Sequence, residues 1–252
     1  MDTITQHMAP SRFNYIKFCY QAVTDAIECE LDVHYNDPGS VQLVVNITSR
    51  PFADAQALYA LGHRHFAEYN AYELIKMSSM LPEDCSWHYL GVVSEDVVVP
   101  LLAVPNLHSI ETVDTQLAAQ SLNMHRLARM RAYPSLPPLR IFLQVNTISH
   151  LSAGMHAPGL RDEHAIFTIA NYIVKFCPGL WLCGLMTFGD TSKGYHSGEN
   201  EDFRKLSVIG ERVSRMLNRP LELSMGNNIN YLEAIRQGST SVLIDKTILG
   251  PL

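Results

Sequence analysis

Leu223-Ser224-Met225-Gly226 closes a short apolar stretch near the end of the chain, and a helix-like segment from Asn228 to Gln237 follows it. Gly238-Ser239-Thr240 then opens a second apolar stretch, Val242 to Leu249. A strand, a glycine turn, a helix and another glycine turn are expected to present backbone N–H groups and a helix N-terminus to one point. Unpaired donors and the helix dipole both favour negative charge, so such a point suits an anion. In (β/α)8 barrels the loops after the seventh and eighth strands build the common phosphate site. The stretch therefore reads as the last part of such a barrel.

The rest of the chain alternates in the same way. Apolar segments predict strands over Val41–Ile47, His63–Phe66, Ser86–Leu90, Leu107–Ile110, Leu139–Thr147, Leu180–Phe188, Leu221–Ser224 and Ser241–Leu243. Helical patterns lie between them, and the clearest is Glu201–Leu217, where Phe203, Leu206, Ile209, Val213 and Met216 share a face. Strands alternating with helices imply a parallel sheet, and eight such units close into a barrel. Phe13, Ile16, Tyr20, Val23, Ile27 and Leu31 recur at helical spacing and predict an additional helix over residues 11–33. Residues 1–38 then form an N-terminal helix and lead-in, and residues 39–252 form the barrel, one structural domain overall. Asn123–Pro138, with three prolines, is expected to be the one long irregular connection.

At 252 residues, 47% apolar and 17% charged, the chain supports a large core and is not expected to be disordered. A net charge of −6 without a basic run gives no reason to expect nucleic-acid binding. The opening residues lack the charge and apolar run of a signal peptide, and no apolar run is long enough to span a membrane. Five cysteines with no C-x-x-C pair fit a reduced cytoplasmic compartment.

Several motifs, in this order and at this spacing, resemble one family. They are Gly62-His63-Arg64-His65-Phe66-Ala67-Glu68, Trp87-His88-Tyr89-Leu90-Gly91, His108-Ser109-Ile110, Gln144-Val145-Asn146, Gly184-Leu185-Met186-Thr187-Phe188-Gly189, Leu223-Ser224-Met225-Gly226, Gly238-Ser239-Thr240 and Ile248-Leu249-Gly250. The family is that of the pyridoxal phosphate homeostasis proteins, single-domain barrels similar to the barrel half of alanine racemases. The resemblance runs from about Val41 to the C-terminus and implies a monomer with a pyridoxal phosphate site at the mouth. It places Thr48, Met186, Ser224, Gly226, Asn228, Gly238, Ser239 and Thr240 as the residues at cofactor-binding positions.

The side chains at those positions depart from the family pattern. The family's Val-Ser-Lys-Thr-Lys-Pro corresponds to Asn46-Ile47-Thr48-Ser49-Arg50-Pro51, so Thr48 stands where a lysine forms the Schiff base. A hydroxyl cannot form an imine, and Arg50 is too basic to act as an amine nucleophile. None of the six lysines lies in the first strand. The asparagine after Phe-Gly-Glu becomes Tyr69, the Gly-His-Leu-Gln run becomes Gly91-Val92-Val93-Ser94, and a serine after Ser-Met-Gly becomes Asn228. Val-Arg-Ile-Gly becomes Val242-Leu243-Ile244-Asp245, which removes an arginine and adds a carboxylate. Asp245 facing a phosphate about 4 Å away would repel it by roughly 4 kcal/mol at an effective dielectric near 20. Lys246, adjacent on a strand, is expected to point the other way.

Eleven histidines raise the question of a metal. His63 and His65 share a face of the predicted second strand, with His88 and His108 on the third and fourth. Zinc needs such ligands converging from strand ends, but His88 and His108 coincide with family positions that have no metal role, His63 and His65 read equally as strand surface residues facing helices, and no metal is expected. Glu68, Asp190 and Glu199 show no pairing and read as solvated carboxylates, and Cys183 reads as a small buried hydrophobe. Three readings follow. The first is a non-enzyme of the homeostasis type that binds pyridoxal phosphate weakly and non-covalently, if at all. The second is a barrel that has abandoned the cofactor and acts as a scaffold for an unidentified protein partner. The third, more distant, is a phosphate-ligand or metal-dependent enzyme. Asp245 and Leu243 discriminate the first two: turned into the mouth they favour the second, and turned toward helices they favour the first. A hidden amine, such as Lys193 on the loop after the sixth strand, would restore covalent capture if it reached the site.

Overall fold

The computed structural model describes residues 8–33, 39–148, 158–190 and 199–251. Eight parallel strands close on themselves in chain order: β1 (Gln42–Asn46), β2 (His65–Glu68), β3 (Ser86–Tyr89), β4 (Leu107–Val113), β5 (Leu139–Gln144), β6 (Leu180–Met186), β7 (Glu222–Ser224) and β8 (Ser241–Ile244). The barrel closes where β8 pairs with β1, Leu43 opposite Val242 and Val45 opposite Ile244. The helices are α1 (Pro10–Val33), α2 (Phe52–Ala60), α3 (Ala71–Met80), α4 (Glu95–Leu102), α5 (Gln116–Ala132), α6 (Glu163–Phe176), α7 (Glu201–Leu217), α8 (Tyr231–Arg236) and α9 (Lys246–Leu249). This is the expected α/β barrel, and each predicted strand is present. Among the described residues no helix is long and apolar enough to cross a membrane.

Local chemistry sets the elements. Asn200 caps α7 by accepting from the Asp202 and Phe203 N–H groups, and Asn218 ends it in the left-handed conformation at φ +52°. Phe203, Leu206 and Val213 bury the apolar face between those ends. α1 lies across the β8–β1 closure, held by Arg12 on Asp54 and by Arg236 on Glu30. Residues 123–138 differ from expectation, because α5 runs to Ala132 and only the proline-bearing end is irregular. The helix-forming Leu, Ala, Met and Arg residues outweigh the nearby prolines, and the buried Arg126 guanidinium caps the return by donating to the Pro137 carbonyl.

Alternation along the strands makes two layers. Val45, Phe66, Trp87, Ile141, Leu185 and Val242 pack outward under the helices. Val44, Ala67, Leu90, Phe142, Cys183 and Met186 fill the barrel axis as a smaller apolar cluster. Two residues earlier on the same strand faces the interior turns polar, with Gln42, His65, His88, Arg140 and Glu222. A Cβ on Gly184 would stand 2.0 Å from the Glu222 carbonyl oxygen, so only glycine fits where β6 meets β7. The barrel thus has an apolar waist between a polar floor, where strands begin, and the mouth, where they end.

Candidate functional site

The mouth is built by the loops that leave β1, β2, β6, β7 and β8. A cavity of about 400 Å³ opens there, lined by Asn46, Tyr69, Phe188, Asn228, Leu243, Asp245 and Lys246. Tyr69 and Phe188 face each other across it with ring centroids 5.9 Å apart. Burial, and then the charges of Asp245, Glu111 and Glu68, push the Tyr69 hydroxyl well above its usual range. Both Leu243 and Asp245 therefore lie on the mouth, the placement that favours an emptied cofactor site. Lys246 lines the same cavity beside Asp245, contrary to strand alternation, because β8 stops at Ile244 and the chain turns into α9.

Thr48 sits on the rim, donating to Glu68 Oε1 at 2.8 Å and accepting from the Tyr69 N–H. Glu68 is not a solvated loop carboxylate: it is 1% exposed and also accepts from the Tyr69 and Asn70 N–H groups. Met186 is buried at the end of β6 beneath the cavity. Ser224 points inward and donates to Glu111 Oε2 at 2.7 Å. Gly226, at φ +100°, leaves room for α8, since a Cβ there would meet the Ala234 Cβ at 2.6 Å. Lys193 lies outside the described residues.

Asn228 ties together the two loops expected to hold a phosphate. Its Oδ1 accepts from the Asp245 and Thr247 N–H groups, both at 3.0 Å, and from Thr247 Oγ1 at 3.1 Å. Its Nδ2 donates to the Asp245 carboxylate, which also accepts from the Lys246 N–H. On the β7 side the Asn227 N–H donates to Asn230 and the Ile229 N–H to Asn227. The segment expected to be helical from Asn228 is accordingly a turn, and α8 begins at Tyr231. Asn228 helps to cap α9 rather than α8.

Gly238, Ser239 and Thr240 do not join this group. They precede β8, so they lie at the floor, and at about 3.3 Å per extended residue the six residues from Gly238 to Ile244 span up to about 20 Å. Their groups are spent locally: the Ser239 and Thr240 N–H groups donate to Ala234 and Leu223 carbonyls, and Ser239 Oγ lies within reach of the Leu223, Met225 and Ser241 carbonyls. The expected convergence of two glycine turns fails because a turn entering a parallel strand is at the opposite end from a turn leaving one.

One feature of the interior escaped the sequence. His88 Nδ1 lies 2.7 Å from Glu111 Oε1, and Ser109 and Ser224 both donate to the same carboxylate. Burial alone would raise the Glu111 carboxyl, yet the hydrogen bonds from His88, Ser224 and Ser109 outweigh it and hold it below the usual value. The predicted fourth strand stopped at Ile110, so the charged residue in its apolar continuation was passed over. His63 takes the helix-facing alternative. It precedes β2, is buried against Tyr20 and Phe66, and bonds the His65 carbonyl. His65 instead faces the axis, where its Nδ1 lies 3.0 Å from His88 Nε2. Burial first, then His88 and Arg140, push His65 down to about 4 and His108 to about 3.

No family model matches the chain. It is 33% identical over 213 residues to the pyridoxal phosphate homeostasis protein of Schizosaccharomyces pombe, covering 84% of each chain. It is 32% identical over 241 residues to the human protein of that name, covering 91% of this chain and 84% of that one. Among solved structures it superposes on PipY of Synechococcus elongatus, determined with pyridoxal phosphate bound, with a TM-score of 0.69 and 21% identity over 90% of this chain and all of that one. An alanine racemase of Clostridium difficile shares the fold at a TM-score of 0.70 and 11% identity, with 95% of this chain on 57% of that one. By its similarity to the yeast and human proteins over most of its length, the chain belongs to the pyridoxal phosphate homeostasis protein family.

Proposed function

We propose that this chain is a non-catalytic, cytoplasmic member of the family whose mouth holds pyridoxal phosphate weakly and without a covalent bond. The observation that carries the reading is the bonding of Asn228 and Asp245. Their side-chain oxygens take the N–H groups of Asp245, Lys246 and Thr247 that an incoming phosphate would need. Thr48, at the family lysine position, supplies a hydroxyl already donated to Glu68. Pyridoxal phosphate contributes an aldehyde and an electron-withdrawing ring, and that chemistry depends on a protein amine to attach it. Thr48 offers none. Among the proposed contacts, Met186 lies beneath the ring position, while Ser224, Gly226 and Asn228 shape the phosphate end.

The placement of Leu243 and Asp245 on the cavity favours instead the second reading, a barrel that works through a protein partner after losing its cofactor. Borohydride trapping separates covalent from non-covalent binding. After incubation with pyridoxal phosphate and reduction, peptide mapping is expected to show no stoichiometric adduct. A stoichiometric adduct on any lysine, Lys246 at the mouth or Lys193 included, would overturn the proposal.

A further inference from the structure

The floor of the barrel lies at the opposite end from the mouth, and the cofactor reading reaches its side chains only through Ser224, which donates to Glu111. Three neighbouring strands send one imidazole each to the axis there: His65 from β2, His88 from β3 and His108 from β4. One ligand nitrogen of each lies within 4.8 Å of the others. We propose that His65, His88 and His108 form a binding site for a divalent transition metal of the zinc class.

Four features of the surroundings support the assignment. The first is the orientation of His88. Its Nδ1 faces the ionised Glu111 at 2.7 Å, and a carboxylate can only accept, so the ring proton sits on Nδ1. The Nε2 lone pair is thereby aimed at the other two rings. A carboxylate behind a histidine ligand is the usual outer support of zinc sites, fixing the tautomer and raising basicity. Glu111 is itself pinned by Ser109 and Ser224.

Spacing is the second. Donors on a tetrahedral zinc at about 2.0–2.1 Å stand about 3.3 Å apart. His65 Nδ1 and His88 Nε2 are 3.0 Å apart, a hydrogen bond in which His65 donates. The ion would take the place of that shared proton, which moves to His65 Nε2, and the pair opens by a few tenths of an ångström. His108 closes from the third side, its ring centroid 4.8 Å from that of His88 and 5.3 Å from that of His65. Three histidines leave a fourth position for water, and imidazole donors select zinc-like ions over calcium or magnesium.

Charge is the third. Arg140 is the nearby cation and would oppose an ion, but both Glu222 oxygens accept from its Nη2, at 2.7 and 2.8 Å. Glu111 then supplies the negative charge closest to the ligands. Access is the fourth. His65 and His108 are only half-buried, and His65 borders a cavity of about 310 Å³ between α1 and the beginnings of β1 and β2.

The test uses the full-length chain without a histidine tag, stripped with chelator and titrated with Zn2+ against a chromogenic competitor. One ion per chain is expected. H65Q and H108Q should each weaken binding about 100-fold, and E111Q about tenfold, in line with outer-support residues elsewhere. H164Q, an exposed histidine on α6, should leave it unchanged. X-ray absorption on the wild-type zinc protein keeps the proposal testable if a variant fails to fold, with nitrogen donors including three imidazoles expected at about 2.0–2.1 Å. Binding that is absent in the wild type, undiminished from the wild type in H65Q and H108Q, or lacking three imidazoles in the absorption spectrum would overturn the site.

Discussion

Replacing Asn228 with Ser and Asp245 with Gly should turn the mouth into a better anion site while weakening the fold slightly. In the native chain Asn228 Oδ1 accepts from the Asp245 and Thr247 N–H groups, and the Asp245 carboxylate accepts from the Lys246 N–H. The double variant releases these donors at the start of α9 and removes a carboxylate from the cavity wall. A hydrogen bond to a charged acceptor contributes about 1.5–3 kcal/mol, and the ligand must still give up hydration and order the loops. Repulsion from a carboxylate about 4 Å away is at most about 4 kcal/mol, and exposure to solvent reduces it severalfold. The net gain in phosphate binding should be about 2 kcal/mol, or about 30-fold in dissociation constant. The two sites are directly bonded, so the single variants should not sum to the double. Loss of the loop-to-loop bonds should cost about 1–2 kcal/mol of folding stability, because water replaces part of what Asn228 supplied. Calorimetric titration with inorganic phosphate reads the first quantity and urea unfolding the second. A folded double variant with unchanged phosphate affinity would refute the reasoning, since the donors would then not face the cavity.

Three other substitutions or conditions probe the account separately. T48K alone should not give a stoichiometric yellow complex with pyridoxal phosphate, because the phosphate donors remain taken; absorbance after gel filtration checks this. Burial holds His63 neutral, pushed down to about 3, so the unfolded chain takes up protons first as pH falls below about 6.5. His63 therefore lends stability that is complete above pH 6.5 and is lost as pH falls toward 3; at pH 5 the loss is about 2 kcal/mol. Urea unfolding at pH 7 and pH 5 should show that difference reduced by a similar amount in H63Q. G184A should lower the melting temperature by about 10 °C, because its Cβ meets the Glu222 carbonyl and overpacking costs about 3 kcal/mol.

The barrel was legible because each strand is an apolar run with its own interruption, and because α7 carries its cap, acidic first turn and apolar face in sequence order. The failures have physical causes too. Prolines at 134, 137 and 138 suggested an irregular segment, yet the helix-forming residues before them carry α5 to Ala132. Gly238-Ser239-Thr240 looks like a phosphate turn by composition, but its place before β8 puts it at the floor. Glu111 was missed because a buried charge inside an apolar run reads as the end of a strand. The pattern could not show that Asn228 and Asp245 bond each other, since that contact joins loops 17 residues apart. The histidines were visible, but only the register of β2, β3 and β4 brings His65, His88 and His108 together and leaves His63 outside.

Calorimetric titration of the wild-type chain with pyridoxal phosphate, against inorganic phosphate as control, tests the central claim most directly. A dissociation constant of about 1 mM is expected, equivalent to about −4 kcal/mol, with little advantage over phosphate. Saturable one-to-one binding in the low micromolar range would contradict it, and would mean that the mouth rearranges to free the donors that Asn228 and Asp245 now occupy.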